Sequence, residues 1–394
     1  MATDAKHGAH APKTTNIAAL DGLRGLAVIA VLIDHFSWSF TPKLPLLKDY
    51  LAAGWIGVDL FFCLSGYLIT RGLVKDTGRT LGERLKLFWM RRALRIFPLY
   101  SIVVIVGTLV CLAVGARQHI PGLSYWLYFQ NYHLAFDPDV LRWTAHFWSL
   151  AIEEQFYFVW PLVVLLSPKK ARPWVAGALF AFCVGSRTFF ALKPQLLLAH
   201  IPAVEGFGPW DTAARFLYRS TPTHMDGLLL GALLSMLETM KGSAALTLWK
   251  RWRGVIFAVS TAALIGLMAV TKGFLAEDRR VVIVGYPLLA VVFASSVSLA
   301  VDREFIPAIQ RIFTSRPLVA CGKVSYGMYI FHWPAVALLA PKLDAFMAVQ
   351  DKVTGAAVGA AVIVVGTVLS YVVAELSFKY VESWFLTLKE RFHD

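Results

Sequence analysis

Length, composition and charge place this chain in a membrane. Of its 394 residues, 57% are hydrophobic and 16% are charged, and the mean hydropathy is +0.60. Soluble proteins carry roughly a quarter charged residues, so an ordinary soluble enzyme is excluded. The apolar residues form continuous runs of about 18 or more, each long enough to cross a hydrocarbon core about 30 Å thick as a helix. Because these runs do not alternate with polar residues, a transmembrane β-barrel is excluded too.

The apolar runs predict an all-α, polytopic membrane protein with about ten transmembrane helices in one bundle. We expect a single transmembrane domain over residues 17–378, between an N-terminal tail (1–16) and a C-terminal tail (379–394). The ten predicted spans lie near residues 18–40, 55–74, 94–115, 147–166, 173–191, 222–240, 254–272, 281–300, 324–341 and 355–375.

The basic residues predict the orientation of the spans. An even number of spans places both termini on one side, and cytoplasmic segments carry an excess of Lys and Arg. With both termini inside, the inner segments hold 24 of the 38 basic residues and the outer loops hold 12. Both termini are therefore predicted to be cytoplasmic. The same bias accounts for much of the net charge of +13 without a nucleic-acid partner, because basic loops favour anionic lipid head groups.

Ionisable residues inside a span are costly to insert, so each is a candidate for function. In the first span Arg24 and His35 are eleven residues apart, which places them on one helix face with a rise of roughly 16 Å between them. Such a face can hold the charged end of a long anionic ligand at Arg24 and present its reactive end to an imidazole, which accepts protons near neutral pH. The alternative is an orienting arginine and a core histidine bonded to a neighbouring helix.

Two further clusters lie where apolar runs begin. Arg92 and Arg95 share a helix face at i, i+3 spacing, and forked guanidinium groups suit phosphate oxygens. Contact with lipid head groups is the alternative. Glu153 and Glu154 stand at the start of the fourth span, so at least one carboxylate is expected to point into the bundle. A salt bridge to an arginine fits this position as well as catalysis does.

The later spans add polar residues that are candidates for substrate contact or for helix packing. Asp226, followed by the GxxxG spacing that ends at Gly231, can cap the sixth span or contact a substrate. The ninth span carries Tyr326 and His332. His332 competes with His35 as the catalyst, although its aromatic, proline-flanked surroundings favour packing or contact with an acceptor.

No metal site is expected from the sequence. The four cysteines form no CxxC pair and have no metal-ligand spacing to a histidine, so they are interpreted as small core residues. The sequence lacks the HExxH, GxSxG and Walker motifs, which leaves a metal hydrolase, a serine hydrolase and an ATPase without support. It also shows no nucleic-acid-binding motif.

In their order along the chain, these features resemble the bacterial acyltransferase-3 family of integral membrane acyltransferases. That family includes polysaccharide and Nod-factor O-acetyltransferases and some antibiotic acyltransferases. The resemblance covers nearly the whole chain, and six motifs in the family's order make it specific. The matching stretches are Asp21 to His35, Gly54 to Gly66, Arg92 to Tyr100, Trp148 to Tyr157, Asp226 to Gly231 and Ser325 to Pro334.

The resemblance implies a multi-pass O-acyltransferase of the bacterial cytoplasmic (inner) membrane. It implies transfer of an acetyl or other short acyl group from acyl-CoA, used as a substrate rather than as a bound cofactor, to a hydroxyl of a carbohydrate such as a cell-surface polysaccharide, lipopolysaccharide or exported glycan. It also implies that Glu154 orients the imidazole of His35. The expected roles are catalysis for His35 and Glu154, acyl-CoA binding for Arg24, Arg92 and Arg95, and substrate binding for Asp226, Tyr326 and His332.

Two other functions remain compatible with the sequence. The acceptor can be a cytoplasmic secondary metabolite such as a macrolide. Alternatively, the protein transports acyl groups or acidic metabolites, since intramembrane His, Glu and Arg also suit a proton relay. Many family members carry a further C-terminal domain, and this chain resembles the form without it. Acceptor choice is expected to lie in the aromatic loop at 116–146 and the connection at 192–221.

Overall fold

The all-α prediction is confirmed. A computed structural model describes residues 18–37, 49–75, 78–136, 142–304, 306–389 and Phe392, and these residues form helices and loops with no β-strand. The predicted N-terminal tail (1–16) lies outside the described residues. Ten helices of 14 residues or more form the bundle: α1 (Ala18–Ser37), α2 (Ile56–Leu73), α3 (Leu81–Ala113), α4 (Trp148–Leu166), α5 (Arg172–Leu192), α6 (Asp226–Thr239), α7 (Ala244–Thr271), α8 (Tyr286–Asp302), α9 (Ser325–Ala348) and α10 (Lys352–Ser377).

Shorter helical elements connect or extend these helices. Two of them are π-helical turns, at Val281–Gly285 before α8 and Phe378–Glu382 after α10. The connections contain 3₁₀ turns at Ala52–Trp55, Arg117–His119 and Arg142–Phe147, and short α-helices at Leu123–Trp126, Gln130–Phe136, Pro194–Leu198, Pro209–Arg219, Thr221–His224, Pro307–Phe313, Arg316–Lys323 and Ser383–Lys389.

The described helices include seven that are long and apolar enough to cross a membrane, judged by length and composition. Helices α1, α6 and α9 are not among them. Helix α6 has 14 residues and is therefore only about 21 Å long, and α1 contains three charged side chains. The count of ten spans and the cytoplasmic termini stay predictions. The seven helical segments are Asp49–Leu73, Leu81–Ala113, Trp143–Leu166, Arg172–Leu192, Ala244–Thr271, Val281–Asp302 and Lys352–Leu388.

Helix α3 begins well before the span predicted at 94–115. Its first turn is closed by a capping box, in which the Thr80 hydroxyl accepts from the Glu83 amide and the Glu83 carboxylate accepts from the Thr80 amide at 2.9 Å. Residues 81–93, which precede the predicted span, are thus helical. As a consequence, Arg92 and Arg95 lie on a continuous helix that aims both side chains at the bundle.

Helix α1 packs against α2, α9, α10 and the short helix Arg316–Lys323. Helix α2 in turn packs against α6, and glycines allow their backbones to approach. A Cβ atom at Gly66 would lie 1.9 Å from the carbonyl oxygen of Leu228 on α6. By contrast, a Cβ at Gly72, six residues further along α2, would meet nothing within 4 Å.

These two glycines give a matched test of the helix packing. Gly66→Ala forces α2 and α6 apart, so we expect a loss of roughly 1–3 kcal/mol of stability, seen as a lower unfolding temperature in detergent. Gly72→Ala is expected to be neutral or slightly stabilising, because alanine favours a helix by about 1 kcal/mol over glycine. Equal unfolding temperatures for the two variants would contradict this packing.

Candidate active site

The three arginines proposed for donor binding line a single cavity, which we call the arginine cavity. Arg24 comes from α1, whereas Arg92 and Arg95 come from α3. The three guanidinium groups are close enough to repel one another, and among the residues that the structure describes only Arg24 of the three has an ion pair, with Asp21 at 3.2 Å. Such an excess of positive charge favours an anionic ligand. The cavity is lined by Arg24, Val58, Phe61, Phe62, Leu64, Ser65, Leu68, Arg92, Arg95, Ile96, Ser149, Leu150, Glu153, Tyr157, Ser325, Tyr326 and Tyr329.

Glu153, rather than Glu154, is the carboxylate of this cavity. The Tyr157 hydroxyl donates to Oε1 of Glu153 at 3.2 Å and also bonds the Ser65 hydroxyl. Arg92 lies over the Tyr157 ring at 5.3 Å. Glu154 does not line the arginine cavity, and its Oε1 is buried without a hydrogen-bond partner. The adjacent carboxylates differ because successive helical residues point about 100° apart.

Tyr326 of α9 lines the arginine cavity too. Its hydroxyl donates to the carbonyl oxygen of Ile96 on α3 at 2.8 Å. This bond ties α9 to the helix that carries Arg92 and Arg95. The expected contact of Tyr326 with substrate stays a prediction, and the structure places its side chain in the arginine cavity.

His35 lies at the other end of α1 and is bonded to His332 of α9. Nδ1 of His35 and Nε2 of His332 are 2.7 Å apart, with the two rings nearly parallel. The described hydrogen-bond partner of the His35 imidazole is His332 rather than Glu154, and the expectation that Glu154 orients His35 stays a prediction. His332 is fully buried, and its ring is bonded to His35. Its expected contact with substrate stays a prediction.

A third histidine, His146, completes the cluster and was not identified from the sequence. Its ring centroid lies 5.1 Å from that of His332. His146 sits in the 3₁₀ turn before α4, just outside the predicted span at 147–166. The sequence shows only that His146 lies in an aromatic-rich connection. Its proximity to the other two histidines depends on the fold.

The histidines meet a second cavity of about 320 Å³, which we call the aromatic cavity. This volume lies in the ordinary range of small-molecule sites. Two carboxylates, one guanidinium and four large aromatic rings border it, a mixture that suits a polar ring with several hydroxyl groups. The cavity is lined by Asp34, His35, Ala52, Trp55, Ala145, His146, Trp148, Tyr218, Arg219, Leu275, Ala276, Glu277 and Trp333.

The side chain of Tyr329 separates the two cavities. It lines the arginine cavity, and its ring centroid lies 5.1 Å from that of His146 and 5.6 Å from that of His332. The hydroxyl donates to the carbonyl oxygen of His146 at 2.7 Å and lies 2.6 Å from the Ser149 hydroxyl. The Tyr329 ring thus forms a single layer between the arginine cavity and the histidine cluster.

Asp226 lines neither the arginine cavity nor the aromatic cavity. It is buried, and its Oδ2 accepts from Arg187 of α5 at 2.8 Å. The carboxylate does not cap α6. The expected cap is therefore wrong: Asp226 instead forms a buried ion pair that joins α5 to α6, and Arg187 is a partner that the sequence did not reveal. The expected contact of Asp226 with substrate stays a prediction.

Asp226, Asp59 and His224 offer ligand atoms within 4.8 Å of one another, and they form the one such group of three among the described residues. The Arg187 guanidinium already forms an ion pair with the Asp226 carboxylate, and Nε2 of His224 lies 3.1 Å from Oδ1 of Asp59. The adjacent guanidinium opposes a second cation. The sequence-based expectation of no metal stays a prediction.

The described helices and cavities define a multi-pass helical membrane protein with one cavity lined by three arginines and a second lined by histidines. A family described as an acyltransferase domain matches residues 17–375. The chain belongs to this family, acyltransferase-3, as the motifs indicated.

Two relatives show the same similarity. The chain is 28% identical over 385 residues to "Peptidoglycan O-acetyltransferase OatA" of Listeria monocytogenes, covering 93% of this chain and 55% of that protein. It is 27% identical over 383 residues to "O-acetyltransferase OatA" of Staphylococcus aureus, covering 93% of this chain and 57% of that protein. The chain thus spans little more than half the length of these relatives. No solved structure matches it significantly.

The Arg187–Asp226 pair can be tested as a structural element. Arg187→Leu leaves a buried carboxylate unpaired, so we expect a loss of about 3–5 kcal/mol in thermal stability. The double variant Arg187→Leu with Asp226→Leu is expected to recover much of it.

The control is an exposed pair of the same kind, in which Arg280 donates to Asp278 at 2.6 Å. This bonding lowers the pKa of Asp278, but exposed pairs contribute less than about 1 kcal/mol. Arg280→Gln should barely change the unfolding temperature. A double variant no more stable than Arg187→Leu would argue against the pair.

Proposed function

We propose that this protein is a membrane O-acetyltransferase that transfers an acetyl group to a hydroxyl of a cell-wall glycan, with acetyl-CoA as the donor. The single observation that carries the proposal is the placement of Arg24 and His35 at opposite ends of α1. Arg24 lines the arginine cavity, His35 lines the aromatic cavity, and the Tyr329 ring packs between the arginine cavity and the histidine cluster. Membership of the acyltransferase family supports the reaction class. The names of the relatives support peptidoglycan as the glycan.

The donor binds in the arginine cavity under this proposal. Arg24, Arg92 and Arg95 hold the phosphates of CoA, since guanidinium groups bond phosphate oxygens in pairs. The remaining lining is largely apolar, which suits the pantetheine arm and the acyl group. The excess of basic residues at this end of the bundle supports a cytoplasmic arginine cavity.

The acceptor binds in the aromatic cavity. Trp55, Trp148 and Trp333 offer ring faces to the apolar faces of a sugar, and Asp34 and Glu277 accept hydrogen bonds from its hydroxyl groups. We assign the role of general base to His35 rather than to His332, because His35 lines this cavity and His332 does not. An acceptor hydroxyl there is within the reach that proton transfer requires.

A single base, His35, is sufficient for the proton transfers of this reaction. The imidazole of His35 takes the proton of the acceptor hydroxyl as its oxygen attacks the thioester carbonyl carbon. The new C–O bond forms, the C–S bond breaks, and the CoA thiolate takes the proton back from the imidazolium. The ester and free CoA are the products, and His35 returns to its neutral form.

His35→Ala is expected to abolish transfer, because the base is lost and the remaining groups cannot take the hydroxyl proton. The measurement is CoA release from acetyl-CoA by the purified full chain in nanodiscs, with mass spectrometry of glycan fragments for a gain of one acetyl group. Wild type that binds acetyl-CoA but never releases CoA would favour a transporter. Full activity in a folded His35→Ala variant would reject His35 as the base.

Arg92→Gln and Arg95→Gln are each expected to raise the KM for acetyl-CoA by roughly 10-fold or more, since a charge-assisted bond contributes about 1.5–3 kcal/mol. Arg91→Gln is the matched control, because Arg91 is on the same helix but does not line the cavity. Equal KM values for all three variants would contradict donor binding by these arginines.

A further inference from the structure

The hydrogen bonds of His332 determine which of its nitrogens carries a proton. Nδ1 of His332 lies 2.8 Å from the carbonyl oxygen of Tyr329 and 3.2 Å from that of Met328. Carbonyl oxygens only accept hydrogen bonds. Nδ1 of His332 must therefore be the protonated nitrogen, and in the neutral ring Nε2 carries the lone pair.

The proton position on His332 also determines the proton position on His35, because the two rings are hydrogen-bonded to each other. Nε2 of His332 can only accept at 2.7 Å, so Nδ1 of His35 must donate. A neutral His35 then has its proton on Nδ1 and a free lone pair on Nε2. His332 is fully buried and His35 is half-buried. The described contacts of the His332 ring are to His35, Phe36, His146, Tyr329 and Trp333, none of them a carboxylate.

We propose that His332 is the positioning residue of His35: the backbone of α9 fixes the tautomer of His332, and His332 in turn keeps the Nε2 lone pair of His35 free to take the acceptor proton. The inference rests on the proposed function of His35 as the base. When Nε2 takes the proton, the Nδ1–H bond to His332 becomes charge-assisted and strengthens. A neutral imidazole thus does here what a carboxylate does in a Ser-His-Asp triad.

The substitution test compares two replacements at one position. His332→Leu removes the acceptor, so His35 is free to carry its proton on Nε2, and kcat is expected to fall by about 10²–10⁴-fold, as expected for a wrong tautomer. His332→Gln keeps an acceptor oxygen and is expected to keep at least about tenfold more kcat than the leucine variant. The KM for acetyl-CoA should change little in either, because His332 does not line the arginine cavity. Equal kcat values in two folded variants would overturn the proposal.

A second readout does not require turnover. The ¹⁵N spectrum of histidine-labelled wild type in nanodiscs, compared with His332→Gln and with His35→Gln for assignment, reports which nitrogen of each ring is protonated. We expect Nδ1–H on both His35 and His332. A proton on Nε2 of His332 would overturn the proposal even in an active enzyme. Wild type with the expected tautomers but no CoA release would instead count against the proposed function.

Discussion

The close approach of α1 to its neighbours is the constraint on which the site depends. Lipid provides no hydrophobic force between helices, so membrane bundles rely on small residues at their contacts. A Cβ at Gly25 would lie 2.0 Å from the carbonyl oxygen of Leu318, and a Cβ at Gly57 on α2 would lie 2.3 Å from that of Ala27. These contacts prevent α1 from rotating or sliding. Arg24 and His35 are consequently held at two separate cavities by one rigid helix.

Sequence reasoning succeeded where the relation between residues is local. Helical periodicity was enough to place Arg24 and His35 on one helix and to group Arg92 with Arg95, because these spacings depend only on helix geometry. It failed between Glu153 and Glu154, whose side chains point about 100° apart. The rotation of α4 about its axis decides which carboxylate enters the cavity. Tertiary packing fixes that rotation, and no local pattern encodes it.

The contacts between residues on different helices could not be predicted from the sequence either. His332 meets His35 from a position 297 residues away, and Arg187 meets Asp226 across two helices. His35, His332 and Asp226 were recognised as ionisable groups in apolar runs, but this property alone does not distinguish a functional site from a structural pair. The cavities do separate them. Arg187 and Asp226 neutralise each other and line no described cavity, whereas the arginine cavity keeps an excess of positive charge beside open space.

Under the proposed function, the position of Tyr329 explains how the donor and the acceptor can react while staying in separate cavities. A thioester must meet the acceptor hydroxyl without meeting water, since hydrolysis is the competing reaction. One ring layer lies between the arginine cavity and the histidine cluster, and its hydroxyl is held by Ser149 and the backbone of His146. Only the acyl end of the donor has to pass this layer, while its charged part stays with the arginines. A bundle built in this way joins a donor and an acceptor on opposite sides without moving CoA across the membrane.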